Sequence, residues 1–398
     1  MTILQANSSI YCIFVIVKPT IPFNKPFLTG KETQYIEQAV ALGHLSGDGE
    51  FTKKCHRFFE NNYGFNKALL TTSCTDALEM CAILINTQPE DEIIIPSYTF
   101  VSCANAFVLR GAKIVFADSE VNTPNIDVEQ LEGLITPKTK AIVVVHYAGI
   151  ACNMEKLMVL ANQHGLFVIE DAAHSIDSYY QQQPLGSIGH LATFSFHETK
   201  NVISGEGGMI VINDDRFAHR AEIIREKGTN RTAFFRGDIK KYEWVDIGSS
   251  FLPSELTAAF LYAQLEQISQ IQSMRIALWQ RYYRNLSALS NQGFFNLPQI
   301  PAFAGCNGHL FYLVCSNLET RTKLIAHLHQ AGIQAVFHYV SLHNSPYYHH
   351  LHGSRTLPNC QHFSDCLLRL PLFYELTLQE VDYICEQIEG FYLLEERR

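Results

Sequence analysis

Eleven cysteines are scattered through the 398 residues, yet no two stand in a Cys-x-x-Cys spacing. Zinc ribbons and thioredoxin-type redox motifs therefore have no support. An odd number of dispersed cysteines fits reduced, mostly buried thiols in a cytoplasmic protein. Long apolar runs are missing too. The longest early one, Ile10–Val17, has eight residues, against roughly 18–20 for a membrane span. No Lys or Arg precedes that run and no small-residue cleavage site follows it, so residues 1–20 read as an N-terminal extension rather than a signal peptide. Charge is scarce, at 17% of residues, and the balance of 30 basic against 39 acidic side chains leaves a net −9. An acidic chain without long basic runs is not a dedicated nucleic-acid binder. A Gly-x-Gly-x-x-Gly string is absent, which weighs against a Rossmann dinucleotide site. His197-Glu198 is followed by Asn201 where a zincin needs its second histidine, and no metal centre is expected.

What the chain does have is apolar residues, 47% of the total, enough for a large core. Between about 66 and 213, short β-branched runs alternate with helical patterns. The runs are Ala68–Leu70, Ile93–Ile95, Ile114–Phe116, Ala141–Val145, Leu166–Ile169, Ala192–Phe196 and Met209–Ile212. They are too short for core helices and suit strands buried on both faces. Leu78, Cys81, Ala82 and Ile85, like Met154, Leu157, Met158 and Ala161, follow the i, i+3, i+4, i+7 spacing of an amphipathic helix. The alternation predicts an α/β domain with a mostly parallel sheet over 21–250. Residues 228–250 read as a functional loop. From Ser254 to Gln292 no Gly or Pro interrupts, which predicts one long helix or two in succession. The rest of 251–398 reads as a smaller α+β domain, with strands near 310–315 and 334–339 and helices near 322–331 and 378–393.

Four motifs fall at the ends of predicted strands, where open α/β sheets place their ligands. Thr71-Thr72-Ser73-Cys74-Thr75-Asp76 is either a phosphate cradle at a helix start or simple N-capping. In Pro96-Ser97-Tyr98-Thr99-Phe100, Phe100 either stacks on a planar ligand or packs in the core. In Glu170-Asp171-Ala172-Ala173-His174, a carboxylate directly after an apolar strand needs a partner, which is a cation, a metal, a protonated ring nitrogen or a helix start. In Phe194-Ser195-Phe196-His197-Glu198-Thr199-Lys200-Asn201, a lysine just past a buried strand precedes the glycine-rich Gly205-Glu206-Gly207-Gly208. Desolvation there lowers a lysine pKa, as a Schiff-base lysine requires. Pyridoxal 5'-phosphate accounts for all four: a phosphate cradle, a stacking ring, an acidic partner for the pyridine nitrogen and an imine-forming lysine.

These strings, with VHYAG and GEGG, resemble the sugar aminotransferases of the DegT/DnrJ/StrS family over roughly 21–398. The resemblance implies the aspartate-aminotransferase-like architecture, PLP-dependent transferase fold type I, with a large sheet domain and a small C-terminal one. It implies that Lys200 is the Schiff-base lysine and proton carrier, that Asp171 keeps the pyridine nitrogen protonated, and that His174 lies near the ring hydroxyl. Phe100 would stack on the ring, and Cys74, Thr75 and Ser195 would hold the phosphate. Many relatives carry a Gly-x-Asn-x-Arg string whose Asn comes from the neighbouring subunit. Here the stretch is Gly248-Ser249-Ser250-Phe251-Leu252, so Ser250 replaces Asn and Leu252 replaces Arg.

Within the family, the strings LSGDGEFTKKC, EIIREKGTNRTAFFRG, DIGSSFLPSEL, VFHYVSLH and LLRLPLFYEL are most similar to the subgroup that uses glutamate to aminate C4 of dTDP-4-keto-6-deoxyglucose. That implies a homodimer with the site at its interface, nucleotide-sugar and glutamate substrates, surface-polysaccharide biosynthesis, and no nucleic-acid or membrane partner. For the nucleotide diphosphate the candidates are Arg231 and Arg236, unless their loop is merely a solvated basic surface. His338 and Tyr339 are candidates near the sugar, and His146 is expected near the site. Alternative readings are an aminotransferase for another nucleotide-linked ketosugar, or for C3, and a PLP protein that does not transaminate.

Overall fold

The computed structural model describes residues 21–353 and 355–396, so the predicted extension at 1–20 lies outside the described residues. Seven strands form the main sheet: β1 (Lys67–Thr71), β2 (Glu92–Pro96), β3 (Lys113–Ala117), β4 (Thr139–Val145), β5 (Phe167–Asp171), β8 (Leu191–Ser195) and β9 (Gly208–Ile212). A small hairpin, β6 (Tyr179–Tyr180) and β7 (Gln183–Pro184), lies between β5 and β8 in the chain. The strand order is β1-β9-β8-β5-β4-β2-β3. Each apolar run predicted as a strand forms one. The core positions of β4 and β9 are fully buried, as expected for strands covered by helices on both faces. Only β9 runs against its neighbours, pairing antiparallel with both β1 and β8.

That single reversal arranges the site. The register puts Gly208 opposite Thr71 on one side and Ser195 on the other. The next parallel pairs set Asp171 beside Thr193 and Val145. The strand-end motifs, far apart in sequence, therefore share one edge of the sheet.

The helices flanking this sheet are α1 (Glu32–Ala41), α2 (Glu50–Tyr63), α3 (Cys74–Leu84), α4 (Ser102–Val108), α5 (Met154–His164), α6 (Ala218–Arg225), α7 (Arg231–Arg236) and α8 (Glu255–Leu265). Ser73 caps α3, its hydroxyl oxygen accepting from the Asp76 N–H at 3.1 Å. The Gly-free stretch after 254 becomes two helices, α8 and α9 (Ile268–Asn291), because Gln267 leaves helical geometry between them. The break lets the two helices serve different cores. Ala258, Ala259, Leu261 and Leu265 pack with α2 and the main sheet, while Leu278, Tyr282 and Leu286 pack in the second unit.

That unit contains α10 (Leu318–Gln330), α11 (His349–His352), α12 (Pro358–Cys366), α13 (Leu378–Glu396) and four strands. The strands β10 (Phe295–Asn296), β11 (Phe311–Cys315), β12 (Val336–Phe337) and β13 (Leu367–Leu370) form an antiparallel sheet ordered β10-β11-β13-β12. Phe311, Leu313, Leu368 and Leu370 belong to the core shared with α9 and α13, whereas Tyr312, Val314 and Leu367 join the core of the main sheet. A strand's side-chain period of two produces that division. Ile21 also joins the second core and bridges Ile333, so the start of the described chain crosses to the smaller unit.

Candidate active site

A cavity of about 630 Å³ opens at the shared sheet edge, between the main sheet and the smaller unit. Ser73, Cys74, Thr75, Phe100, Asp171, His174, Ser195, Lys200, His338 and Tyr339 all line it. The structure thus brings together ten of the residues singled out in the sequence.

One end of the cavity has the chemistry of an anion cradle. The first-turn N–H groups of α3 have no carbonyl four residues back to bond. Thr75 donates its hydroxyl to Ser102 Oγ at 2.8 Å, and Ser195 accepts from the His197 N–H at 3.4 Å. β9 reaches this turn only because residue 208 is glycine. A Cβ there would lie 2.3 Å from the Ser73 carbonyl carbon and 2.4 Å from the Cys74 nitrogen. A dianionic phosphate fits this donor set of hydroxyls and backbone N–H groups, with the Asp76 carboxylate of the same turn taken up by the Thr72 hydroxyl.

Asp171 ends β5, and its Oδ1 accepts from the Ala173 N–H at 3.2 Å. Burial raises its carboxyl pKa, against the pull of that N–H and of Lys200. Burial lowers the Lys200 amine below the ordinary lysine range, while Cys74 and Asp171 act in the opposite direction. The backbone of Lys200 is fixed by its N–H bond to the His197 carbonyl at 2.9 Å. Asn201, the next residue, donates to Gln272 Oε1 at 2.8 Å and to the Asn307 carbonyl at 3.0 Å. The lysine therefore stands on a backbone tied to α9, as a residue that must meet one carbon atom requires. Burial and the Lys200 charge push His174 well below the usual histidine range. His338 bonds the Tyr147 hydroxyl through Nδ1 at 3.0 Å and is likewise depressed, first by burial. These imidazoles are neutral at physiological pH and serve as hydrogen-bonding groups, not cations.

Four expected residues lie elsewhere. His146 does not line the cavity. It is completely buried, with Nε2 3.0 Å from Glu170 and Nδ1 accepting from the Cys152 N–H at 3.2 Å. Both ring nitrogens are used within the fold, so none is left for a substrate. Arg231 and Arg236 sit on α7, outside this cavity, paired with Glu226 at 3.4 Å and with Glu222 at 2.8 Å. Ser250 is exposed on the same loop, bridging Glu226, and does not reach the cavity of its own chain.

Other lining residues carried no expectation. His309, Arg369, Phe23, Asn24, Glu206 and Ser102 are brought in by tertiary contacts. Glu206 stood within the glycine-rich Gly205–Gly208 string without a role of its own, and Arg369 shows as a lone charge inside the apolar run Leu367–Leu372.

A buried lysine in the turn after β8, an acid ending the neighbouring β5 and an anion cradle beside them define a PLP-dependent transferase of fold type I. The chain belongs to the DegT/DnrJ/EryC1/StrS aminotransferase family, whose model matches residues 26–389. It is 32% identical over 382 residues to the spore coat polysaccharide biosynthesis protein SpsC of Bacillus subtilis, covering 92% of this chain and 96% of that one. Among solved structures it is similar to Helicobacter pylori PseC, an aminotransferase involved in the biosynthesis of pseudoaminic acid. The TM-score there is 0.86 at 25% identity, covering 93% of this chain and 98% of PseC. It is also similar to the PLP form of Spr1654 from Streptococcus pneumoniae, with TM-score 0.85 at 26% identity over 93% of this chain and 98% of that one. The cofactor is pyridoxal phosphate, and the chain is a sugar aminotransferase.

Proposed function

We propose that the chain transfers the amino group of L-glutamate to C4 of dTDP-4-keto-6-deoxyglucose, giving dTDP-4-amino-4,6-dideoxygalactose and 2-oxoglutarate. The observation that carries the transamination is the meeting of Lys200 and Asp171 in one cavity with the Ser73–Thr75 cradle. The choice of sugar rests on the subgroup-like strings, among them EIIREKGTNRTAFFRG and DIGSSFLPSEL. The polysaccharide role in SpsC's name agrees with a sugar product.

Bound pyridoxal phosphate supplies a carbonyl carbon for amine exchange and an electron sink for the charge left when a carbon acid loses its proton. The rest falls to side chains of this chain. Lys200, its pKa lowered by burial, more readily gives up its proton to act as the free amine and would carry the proton away from the donor's Cα. Asp171 holds a proton at the ring nitrogen across a buried ion pair. The first turn of α3, Thr75 and Ser195 hold the phosphate. Phe100 would cover one face of the ring, and His174 would lie beside the ring hydroxyl. Lys200 then returns a proton to the carbon that receives nitrogen in the ketosugar.

A homodimer in the cytoplasm belongs to the same reading. The segment carrying Ser250 exposes large apolar side chains, with Trp244 81% and Phe235 69% accessible in the single chain. A second copy covering this segment would set Ser250 and the paired Arg231 and Arg236 against a neighbouring cavity. Among the described residues no helix is long and apolar enough to cross a membrane.

The test is an NMR assay of the protein with pyridoxal phosphate, glutamate and dTDP-4-keto-6-deoxyglucose. A product with an axial C4 amine and equimolar 2-oxoglutarate supports the assignment. Conversion of the cofactor by glutamate without any sugar product rejects this sugar and keeps the class.

A further inference from the structure

Burial leaves three neutral imidazoles lining the cavity, those of His174, His309 and His338. A neutral ring carries one proton, and the nitrogen that holds it decides whether the ring donates or accepts toward a ligand. For His309 the surrounding amides make that choice. Its Nδ1 lies 2.8 Å from Asn201 Oδ1. That oxygen is identified by partners that end in backbone carbonyls, which can only accept. Asn201 Nδ2 lies 3.0 Å from the Asn307 carbonyl oxygen and 2.8 Å from Gln272 Oε1. The Gln272 amide is oriented in turn by its Nε2, which donates to the Ile176 carbonyl at 3.3 Å. Turning the Asn201 amide over would set its oxygen against the Asn307 carbonyl. Oδ1 therefore faces His309, Nδ1 brings the proton, and Nε2 keeps its lone pair.

The backbone holds the ring in that place. The His309 N–H donates to Asn307 Oδ1 at 3.0 Å, and its carbonyl accepts from Arg275 at 2.6 Å. Among the described residues no hydrogen bond engages the His309 Nε2, and the residue lines the cavity. His174, stacked against it, has the opposite arrangement. Its Nδ1 accepts from the Ala148 N–H at 3.4 Å, which leaves its proton on Nε2.

Few ligands can use a neutral acceptor here. The carboxylates of an amino donor need donors, and its ammonium must give up protons in order to react. The cofactor phosphate also needs donors, and the ring nitrogen has Asp171. A sugar differs, because each hydroxyl brings a proton, and a buried hydroxyl without an acceptor is penalised. Glu206, the other carboxylate lining the cavity, has a side chain 72% exposed and 3.7 Å from His197.

We propose that Asn201 holds His309 as its Nδ1–H tautomer, so that Nε2 accepts a hydrogen bond from a hydroxyl of the sugar substrate. His309 is then a specificity-determining residue, and Asn201 a positioning residue that acts through it. The choice of ligand rests on the ketosugar reading above, whereas the tautomer does not.

Two measurements test this on cofactor-loaded protein. Nitrogen-15 side-chain spectra should show the His309 Nδ1 protonated and Nε2 bare in the wild type. N201D, which keeps an acceptor, should preserve that pattern, and N201A should move both resonances toward a mixture of tautomers. Separately, dTDP-glucose, which has sugar hydroxyls and no reacting carbonyl, is titrated calorimetrically into wild type, H309F and H309Q, with dTDP as the reference. H309F keeps a flat ring against His174 and loses the acceptor, whereas H309Q restores an acceptor oxygen. The expected result is dTDP-glucose binding weakened about tenfold in H309F, partly recovered in H309Q, with dTDP binding weakened less. A proton on the wild-type Nε2 overturns the proposal, and the wild-type spectra decide this whether or not a variant folds. So does dTDP-glucose binding that is absent from the wild type, or that falls in H309F no further than dTDP binding. His309-dependent binding of dTDP-glucose by a protein that never aminates dTDP-4-keto-6-deoxyglucose would uphold the acceptor and refute the proposed reaction.

Discussion

The imidazole rings of His174 and His309 lie stacked, with centroids 4.2 Å apart and 22° between their planes. The first follows the strand that ends in Asp171. The second accompanies Asn307 in the segment just before β11. The stack is pinned from both sides. His174 Nδ1 accepts from the Ala148 N–H at 3.4 Å, and His309 Nδ1 lies 2.8 Å from Asn201 Oδ1. Because Asn201 follows Lys200, one contact couples the imidazole stack, the lysine and the smaller unit.

Two stacked imidazolium ions would repel each other in a desolvated site, and burial pushes both pKa values well below 6.5. Both rings are therefore expected to stay neutral from pH 5.5 to 8. Nitrogen-15 chemical shifts of the two side chains check this. A titration of either ring with a midpoint above 6 would refute it.

Lys200 is expected to be indispensable and to lose its proton below the ordinary lysine range. Lys200→Ala abolishes turnover while leaving the circular dichroism unchanged. In the wild type, the rate of imine formation with added pyridoxal phosphate should reach half its maximum below pH 10.5, because burial disfavours the charged amine. A half-point at or above 10.5 would contradict the burial argument.

Gly208 tests the cradle. Gly208→Ala sets a Cβ 2.3 Å from the Ser73 carbonyl carbon and 2.4 Å from the Cys74 nitrogen, neither of which is a flexible side-chain end. The turn must move. Stability should fall by about 1–3 kcal/mol, and cofactor affinity should fall more than tenfold. Urea unfolding and a fluorescence titration with pyridoxal phosphate measure the two effects. Unchanged affinity would place the phosphate elsewhere.

The buried Glu170–His146 pair predicts a stability effect separate from substrate binding. Glu170 Oε1 accepts from the Ile188 and Gly189 N–H groups at 2.8 and 2.6 Å, and Oε2 from the Gly186 N–H at 2.8 Å. Burial opposes ionisation, yet His146 and these N–H groups hold the pKa below 4.5. A lowered folded-state pKa adds stability above the unfolded value, and that stability is lost as pH falls through the folded one. Unfolding free energy should thus drop on acidification below about 4.5, and Glu170→Gln should flatten that part of the profile. His146→Ala should cost about 3–5 kcal/mol while leaving the KM for the sugar within a factor of two. A large KM effect in a folded His146→Ala protein would restore it as a substrate contact.

The local sequence determined the strands and the motifs at their ends. Runs such as Ile93–Ile95 and Met209–Ile212 are apolar throughout and, Met209 apart, β-branched, a pattern that a strand buried on both faces imposes residue by residue. Lys200, Asp171 and the Ser73–Thr75 turn were legible for the same reason, since each lies within a few residues after such a run. Strand direction was not. Nothing within Gly208–Ile212 reveals that it runs antiparallel to β1 and β8, because direction is a property of the pairing. His146 was expected near the site only from the family resemblance, and the fold shows Glu170 and the Cys152 N–H taking both its ring nitrogens. His309 and Arg369 had no role in the sequence reading because they lie on the smaller unit, more than a hundred residues from Lys200. Their approach to the cavity depends on how the two cores pack. Short-range periodicity settles what each segment becomes, and only long-range packing decides which segments meet.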